Sequence, residues 1–176
     1  GIVGLGLATV SVDGLNGAVF QMFAHGIMTA LFFSAVGYIY DRTHTKIIAE
    51  LGGLSRIMPV ASTYFIVAAM ASMGIPFLAS FWGELMVFIA AFKTYPVRGA
   101  LAVCALVVSA LFMLRMIQHT FYGPKNEKYA HLPDVPFGLG IPRMILLIVL
   151  VGFGLYPTLM FDMIETASIP FINGLQ

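Results

Sequence analysis

Two side chains in this sequence have the type and setting for proton chemistry, Glu84 and His25, and each lies inside a long apolar run. Glu84 follows the stretch Ala71-Ser72-Met73-Gly74-Ile75-Pro76-Phe77-Leu78-Ala79-Ser80-Phe81-Trp82-Gly83, which is apolar but interrupted by Gly74 and Pro76. An ionisable group at mid-bilayer depth costs roughly 2.5 kcal/mol or more on insertion scales, so such groups usually face a protein interior or a watered path and act there. A broken helix beside the acid frees backbone N–H and C=O groups, which persist only where protein or water can satisfy them. A polar cavity is therefore expected at residues 74–80. A desolvated carboxylate favours its neutral form, and an imidazole titrates near neutrality and can pass a proton through either ring nitrogen. The competing uses are structural. A Glu can seal a helix end by accepting backbone N–H bonds or can sit at the membrane surface, and a membrane His can bind neighbouring helices together by hydrogen bonding.

The elements that must carry these residues follow from composition. The chain is 60% hydrophobic and only 10% charged, against about 25% charged in soluble domains, and its mean hydropathy is +0.95. This is the signature of an integral membrane protein built from helices. A net charge of +1 argues against a nucleic-acid partner. The single Cys104 lies in an apolar run, so it supports neither a disulfide nor a Cys-based metal site. No His/Glu metal spacing, P-loop or dinucleotide-binding glycine motif occurs, and the 11 Met and 15 Phe are spread over all the apolar runs as packing or lipid-facing residues. No cofactor is expected in this chain, and electron transfer is expected elsewhere. The opening at Gly1 lacks an initiator Met, a basic leader and a cleavage site, which reads as a cut inside a longer chain.

Taken in order, residues 1–10 read as the tail of a truncated span, and 17–40 as a full membrane helix interrupted only by Gln21 and His25. Residues 41–56 form an aqueous loop. Residues 59–93 pose a length problem, because 35 residues as one helix would run about 52 Å, too long for one span and too short for two. One span broken near 74–80 resolves it. Spans over 98–122 and 141–161 complete the bundle, with Pro157 kinking or ending the last and residues 162–176 forming a tail at the membrane surface. The charges agree with the single broken span. Arg42, Lys46, Arg56, Arg115, Lys125, Lys128 and Arg143 fall on one side, seven against Lys93 and Arg98 on the other, whereas two spans would divide them five to four. The basic side reads as cytoplasmic and the C-terminus as non-cytoplasmic.

The segments Gly17-Ala18-Val19-Phe20-Gln21-Met22-Phe23-Ala24-His25-Gly26, Tyr40-Asp41-Arg42-Thr43-His44-Thr45, Gly52-Gly53-Leu54, Met58-Pro59, Gly74-Ile75-Pro76 with Gly83-Glu84, and Phe121-Tyr122-Gly123 occur in that order. Together they resemble the antiporter-like M-type membrane subunits of respiratory complex I, also called chain 4 in mitochondria and D in photosynthetic relatives. The resemblance implies a polytopic transmembrane helix bundle with one discontinuous helix, matching the last five of fourteen membrane helices with the first of them cut. It further implies that Glu84, on the discontinuous twelfth helix, is the proton-exit acid, and that His25, on the eleventh, lies on a hydrated axis linking proton sites. The family's other acid and lysines would precede Gly1. Phe77, Ala79 and Trp82 are bulkier than the glycines often found after the Pro, which implies a tighter break.

The function so implied is proton translocation in an NADH:quinone oxidoreductase. NADH or another donor, FMN, Fe–S clusters and quinone would be held by other subunits, and the partners would be the remaining membrane-arm subunits, including neighbouring antiporter-like ones, in a bacterial inner membrane or an equivalent energy-transducing membrane. Two alternatives share the fold: a subunit of an Mrp-type cation/proton antiporter, and a membrane subunit of an energy-converting hydrogenase. A passive scaffold is a third, in which Glu84 is dispensable.

Overall fold

The computed structural model describes residues 1–174, which hold eight α-helices and no strand. The architecture is all-α with one discontinuous helix. Its ruler is α2 (Val12–Thr43), 32 residues and about 48 Å long. It begins earlier than the expected span because Ser11 caps it, accepting the Gly14 N–H at 3.1 Å, as a hydroxyl ahead of an apolar run commonly does. The turn-forming residues 11–16 are thereby drawn into the helix. It ends at His44, which takes a left-handed conformation (φ 54°) and donates its N–H to the Tyr40 carbonyl. A short α1 (Ile2–Ala8) folds back on its start.

The region expected to be broken forms α4 (Pro59–Ser72) and α5 (Ala79–Thr94), after a short α3 (Ile48–Leu51) and a 3₁₀ turn at Leu54–Arg56. At 14 and 16 residues, neither helix exceeds about 24 Å, less than a membrane's hydrocarbon thickness. Their arrangement is fixed by what each touches along α2. The Phe65 ring packs on Phe32 with centroids 4.6 Å apart, Glu84 meets Gln21, and Lys93 pairs with Asp13 at 2.8 Å. As α2 is followed from residue 32 back to 13, its partners advance from 65 to 93. The two helices therefore run one after the other in a single direction, antiparallel to α2, and the break interrupts one line of helix. The segment Ile48–Arg56 leaves that line, meeting α4 at 112°.

Pro59 opens α4, and the Asp134 carboxylate, from a distant loop, accepts the N–H groups of Val60 (2.7 Å) and Ala61 (3.1 Å). Those are donors that a helix start leaves unpaired. Next comes α6 (Pro96–Phe121), whose apolar surface is largely exposed. Together with α2 and α7 (Phe137–Leu155), it is long and apolar enough to cross a membrane.

The last expected span, 141–161, is divided. Pro157 lacks the N–H that would continue the ladder, so α7 stops at Leu155 and α8 (Thr158–Asn173) begins after two intervening residues. The tail expected at the membrane surface instead packs on α2. Ile164, Ser168 and Ile172, four apart, are buried, the Phe161 ring stacks on Phe20 at 4.8 Å, and Ser168 bonds Asn16. The last two residues of that tail, Leu175 and Gln176, lie outside the described residues.

One end of the bundle gathers the basic loops. Asn126 donates to the Glu50 carbonyl, Gly53 N–H to that of Tyr122 and Tyr38 OH to that of Pro133, while an Arg143 guanidinium N–H reaches the Ser34 carbonyl. The Asp13–Lys93 pair and α8's C-terminal half mark the other end.

Replacing Asp134 by Ala removes the cap on α4 without touching the break. We expect a loss of about 1–2 kcal/mol, read as an earlier thermal unfolding transition of the detergent-solubilised protein, with Asp134→Asn losing less.

Candidate functional site

Glycines on α2 and α5 determine which side chains meet at the break. A Cβ on Gly17 would lie 2.8 Å from Met86 Cβ and from Val87 N, and one on Gly83 would lie 2.8 Å from Gln21 N and 2.9 Å from its Cα. The two backbones touch here, as small residues allow in membrane bundles. Glu84, beside Gly83, is thereby brought against Gln21. The Gln21 amide nitrogen Nε2 donates to Glu84 Oε1 at 3.2 Å, and both side chains are buried at 5% exposure.

The second carboxylate oxygen, Oε2, lies over the break. Gly74 has a positive φ (66°), and any Cβ there would overlap Glu84 Oε2. Glycine is therefore required twice, for the turn and for the space. Three polar atoms within this region, Glu84 Oε2, Gln21 Oε1 and Ser80 Oγ, are buried with no hydrogen-bond partner among the described residues. Ser80 precedes Glu84 by one turn of α5, so the break faces a small polar patch inside otherwise apolar packing. No basic side chain pairs with Glu84 among the described residues, where the ion pair found is Lys93–Asp13.

The break is closed from the far side by the end of α7. A Cβ on Gly154 would overlap the Phe77 carbonyl, and Trp82 Nε1 donates to the Gly154 carbonyl at 2.7 Å. Phe77 itself holds a left-handed φ of 75°, an uncommon state for a bulky residue that stores about 1–3 kcal/mol of strain. Its ring points outward, 70% exposed. The bulky residues therefore do not fill the break: Phe77 leaves it and Trp82 bonds across to α7.

Of the two residues singled out for chemistry, Glu84 sits at the break and His25 does not touch it. His25 is exposed, on a face of α2 that the described residues leave uncovered, and its ring makes no hydrogen bond among them. It stands one turn, about 6 Å of helix rise, beyond Gln21. Neither carboxylate oxygen of Glu84 accepts a backbone N–H among the described residues, and the residue before α5, Leu78, makes no side-chain cap. The helix-sealing role is not the one it plays here. The residue that sequence reasoning passed over is Gln21, an amide inside an apolar span, which must find a partner when buried. No group of three or more His, Cys, Asp or Glu side chains suited to a metal occurs among the described residues.

A multi-pass helical bundle with a carboxylate buried in the break of a discontinuous helix defines an integral membrane protein with an ionisable group held in its interior, and comparison gives the family. The chain belongs to the NADH:quinone oxidoreductase/Mrp antiporter transmembrane family, whose model matches residues 1–111. It is 34% identical over 182 residues to a NAD(P)H-quinone oxidoreductase chain 4 of Trichormus variabilis, covering 96% of this chain and 33% of that protein. With NADH-quinone oxidoreductase subunit M of Rickettsia prowazekii it shares 32% identity over 158 residues, covering 89% of this chain and 32% of that protein. The chain thus spans about a third of the length of the curated relatives it matches. Its fold is that of a chain in respiratory complex I from Thermus thermophilus, with a TM-score of 0.92 at 24% identity, covering 99% of this chain and 37% of that one.

Gly74→Ala places a methyl group where Glu84 Oε2 now lies and forces an L-residue into a left-handed turn. It is expected to displace the carboxylate and to lower stability by about 1–2 kcal/mol, measured as an earlier unfolding transition of the detergent-solubilised protein.

Proposed function

We propose that this chain is part of the proton-translocating M-type subunit of an NADH:quinone oxidoreductase. Redox chemistry in other subunits, which hold NADH or another donor, FMN, Fe–S clusters and quinone, drives protonation changes at Glu84. The observation that carries this reading is the setting of Glu84: buried, at a helix break, bonded to a neutral amide and to no cation among the described residues. An acid locked to an arginine would keep its charge, whereas one held by an amide can exchange its proton when the charge around it changes. The polar patch of Gln21, Ser80 and Glu84 suits a short chain of hydrogen bonds through water.

His25 relays protons toward this site along α2, from the face that the remaining helices of the longer protein or a neighbouring subunit would cover. The line α4–break–α5 acts as one membrane crossing, its N-terminal end among the basic loops and its C-terminal end at the Asp13–Lys93 pair. By the bias of Lys and Arg toward the cytoplasm, the basic end faces the cytoplasm and the C-terminus the opposite side. The partners are then the other membrane-arm subunits of the complex. An Mrp-type antiporter subunit is the second reading, favoured by the family description that covers both classes. It predicts cation-driven rather than quinone-driven proton movement.

Glu84→Gln keeps shape and hydrogen bonding but cannot titrate, and Glu84→Asp titrates with a shorter reach. In inverted vesicles with verified assembly, Gln should cut proton uptake by roughly a hundredfold or more, in line with the usual worth of a positioned acid or base. The coupled quinone-reductase rate should fall with it. Asp should retain a substantial part of both, and His25→Ala should lose less than Glu84→Gln. Full pumping by Glu84→Gln at normal assembly contradicts the proposal.

A further inference from the structure

We infer that Gln21 is the positioning residue that accommodates both protonation states of Glu84, its amide reversing from donor to acceptor as the acid takes up a proton. The inference rests on the reading above that Glu84 exchanges a proton, and it begins from hydrogen-bonding inventory. An ionised carboxylate only accepts, and a protonated one must also donate its O–H. In the observed arrangement Gln21 Nε2 donates to Glu84 Oε1, the bond that suits the ionised acid. A fixed donor such as Lys would oppose protonation, and an apolar side chain would leave the carboxylate buried and unpaired, a costly state.

An amide carries both functions on one plane. Gln21 Oε1 is buried and has no partner among the described residues. The terminal torsion of a Gln side chain is broad and roughly two-fold. A half-turn about it brings Oε1 to Glu84, where it accepts the new O–H. Neither state then leaves the acid without a partner.

The rest of the site restricts the motion to that rotation. Gly83 packs so closely on Gln21 that a Cβ there would lie 2.7 Å from Oε1 and 2.8 Å from the backbone N, which holds the side chain from root to amide and leaves the half-turn, an exchange of two groups of nearly equal size, as the motion available. On the same side of α5, one turn earlier, the Ser80 hydroxyl is also buried and unpartnered. A hydroxyl can donate or accept, so through a bridging water it can serve whichever amide atom Glu84 is not using. The switch is thus neutral, local and built from groups already in place.

The test is infrared difference spectroscopy on the assembled complex in membranes between two pH values, alongside proton uptake. The Glu84 carboxyl band is the one absent from Glu84→Gln, and the Gln21 amide band, marked with ¹³C-glutamine, is the one absent from Gln21→Met. In the unaltered complex the Gln21 amide band should change in step with the Glu84 carboxyl band. Gln21→Met, similar in length but unable to make either bond, should shift the Glu84 band and slow proton uptake about tenfold, the scale expected for one hydrogen bond to a charged group. Should Gln21→Met fail to assemble, Gln21→Leu serves to identify the amide band, and where neither assembles the labelled unaltered complex is compared with Glu84→Gln, from which the coupled amide change must vanish. A Glu84 band that does not move in Gln21→Met, an amide band that stays constant while Glu84 titrates, or the absence of any Glu84 band overturns the inference. Full pumping by Glu84→Gln overturns the functional reading instead, and the spectra still decide whether the amide follows the acid.

Discussion

A carboxylate is held within an apolar helix bundle with no cation beside it among the described residues. Its only direct protein bond there is to Gln21 Nε2. Such a group is tolerable where a helix ends, because backbone polar groups and space for water are concentrated there. Three glycines create that place. Gly17 and Gly83 let α2 and α5 touch, and Gly74 turns the chain and leaves room for the acid. Larger side chains at those points would separate Glu84 from its amide or push it out of the break.

The interruption is stable because it lies between two long partners. On one side α2 runs past both half-helices, from the Phe32–Phe65 contact to the Asp13–Lys93 pair. On the other, the end of α7 presses Gly154 on the Phe77 carbonyl and takes the Trp82 indole bond. The helix line α7–α8 is itself interrupted, at Pro157, just beside this contact. The end of α7 thus packs against the α4–α5 break, so the strain at Phe77 is held by packing from outside the loop. The ends are tied separately, one by the Asp134 cap on α4 and the loop bonds of Asn126 and Gly53, the other by the Asp13–Lys93 pair. A motion at the break can therefore occur without unravelling either end.

The sequence made the break legible because Gly74 and Pro76 act locally: one supplies a turn that L-residues avoid, the other removes a donor. The class of protein was legible for a similar reason, since apolar length and the placement of nine basic residues are properties of the chain alone. What sequence reasoning missed depends on distant pairing. Gln21 finds Glu84 from 63 residues away, and Asp134 caps α4 from 73 and 74 residues away. Nothing local marks either. The tail was misjudged because the polar residues of α8 conceal a buried stripe at 164, 168 and 172, and that stripe acquires meaning only once α2 is seen to extend as far as Asn16.

The central claim is that Glu84 takes up a proton while buried at the break. A hydrophobic carbodiimide reacts with a carboxyl group that is both protonated and reachable from the apolar phase, so modification of Glu84 in the assembled complex, quantified by peptide mass spectrometry beside the proton-pumping rate, tests it most directly. Glu84 should become modified, and pumping should fall in proportion to the modified fraction. Full pumping by complexes in which Glu84 is stoichiometrically modified would contradict it.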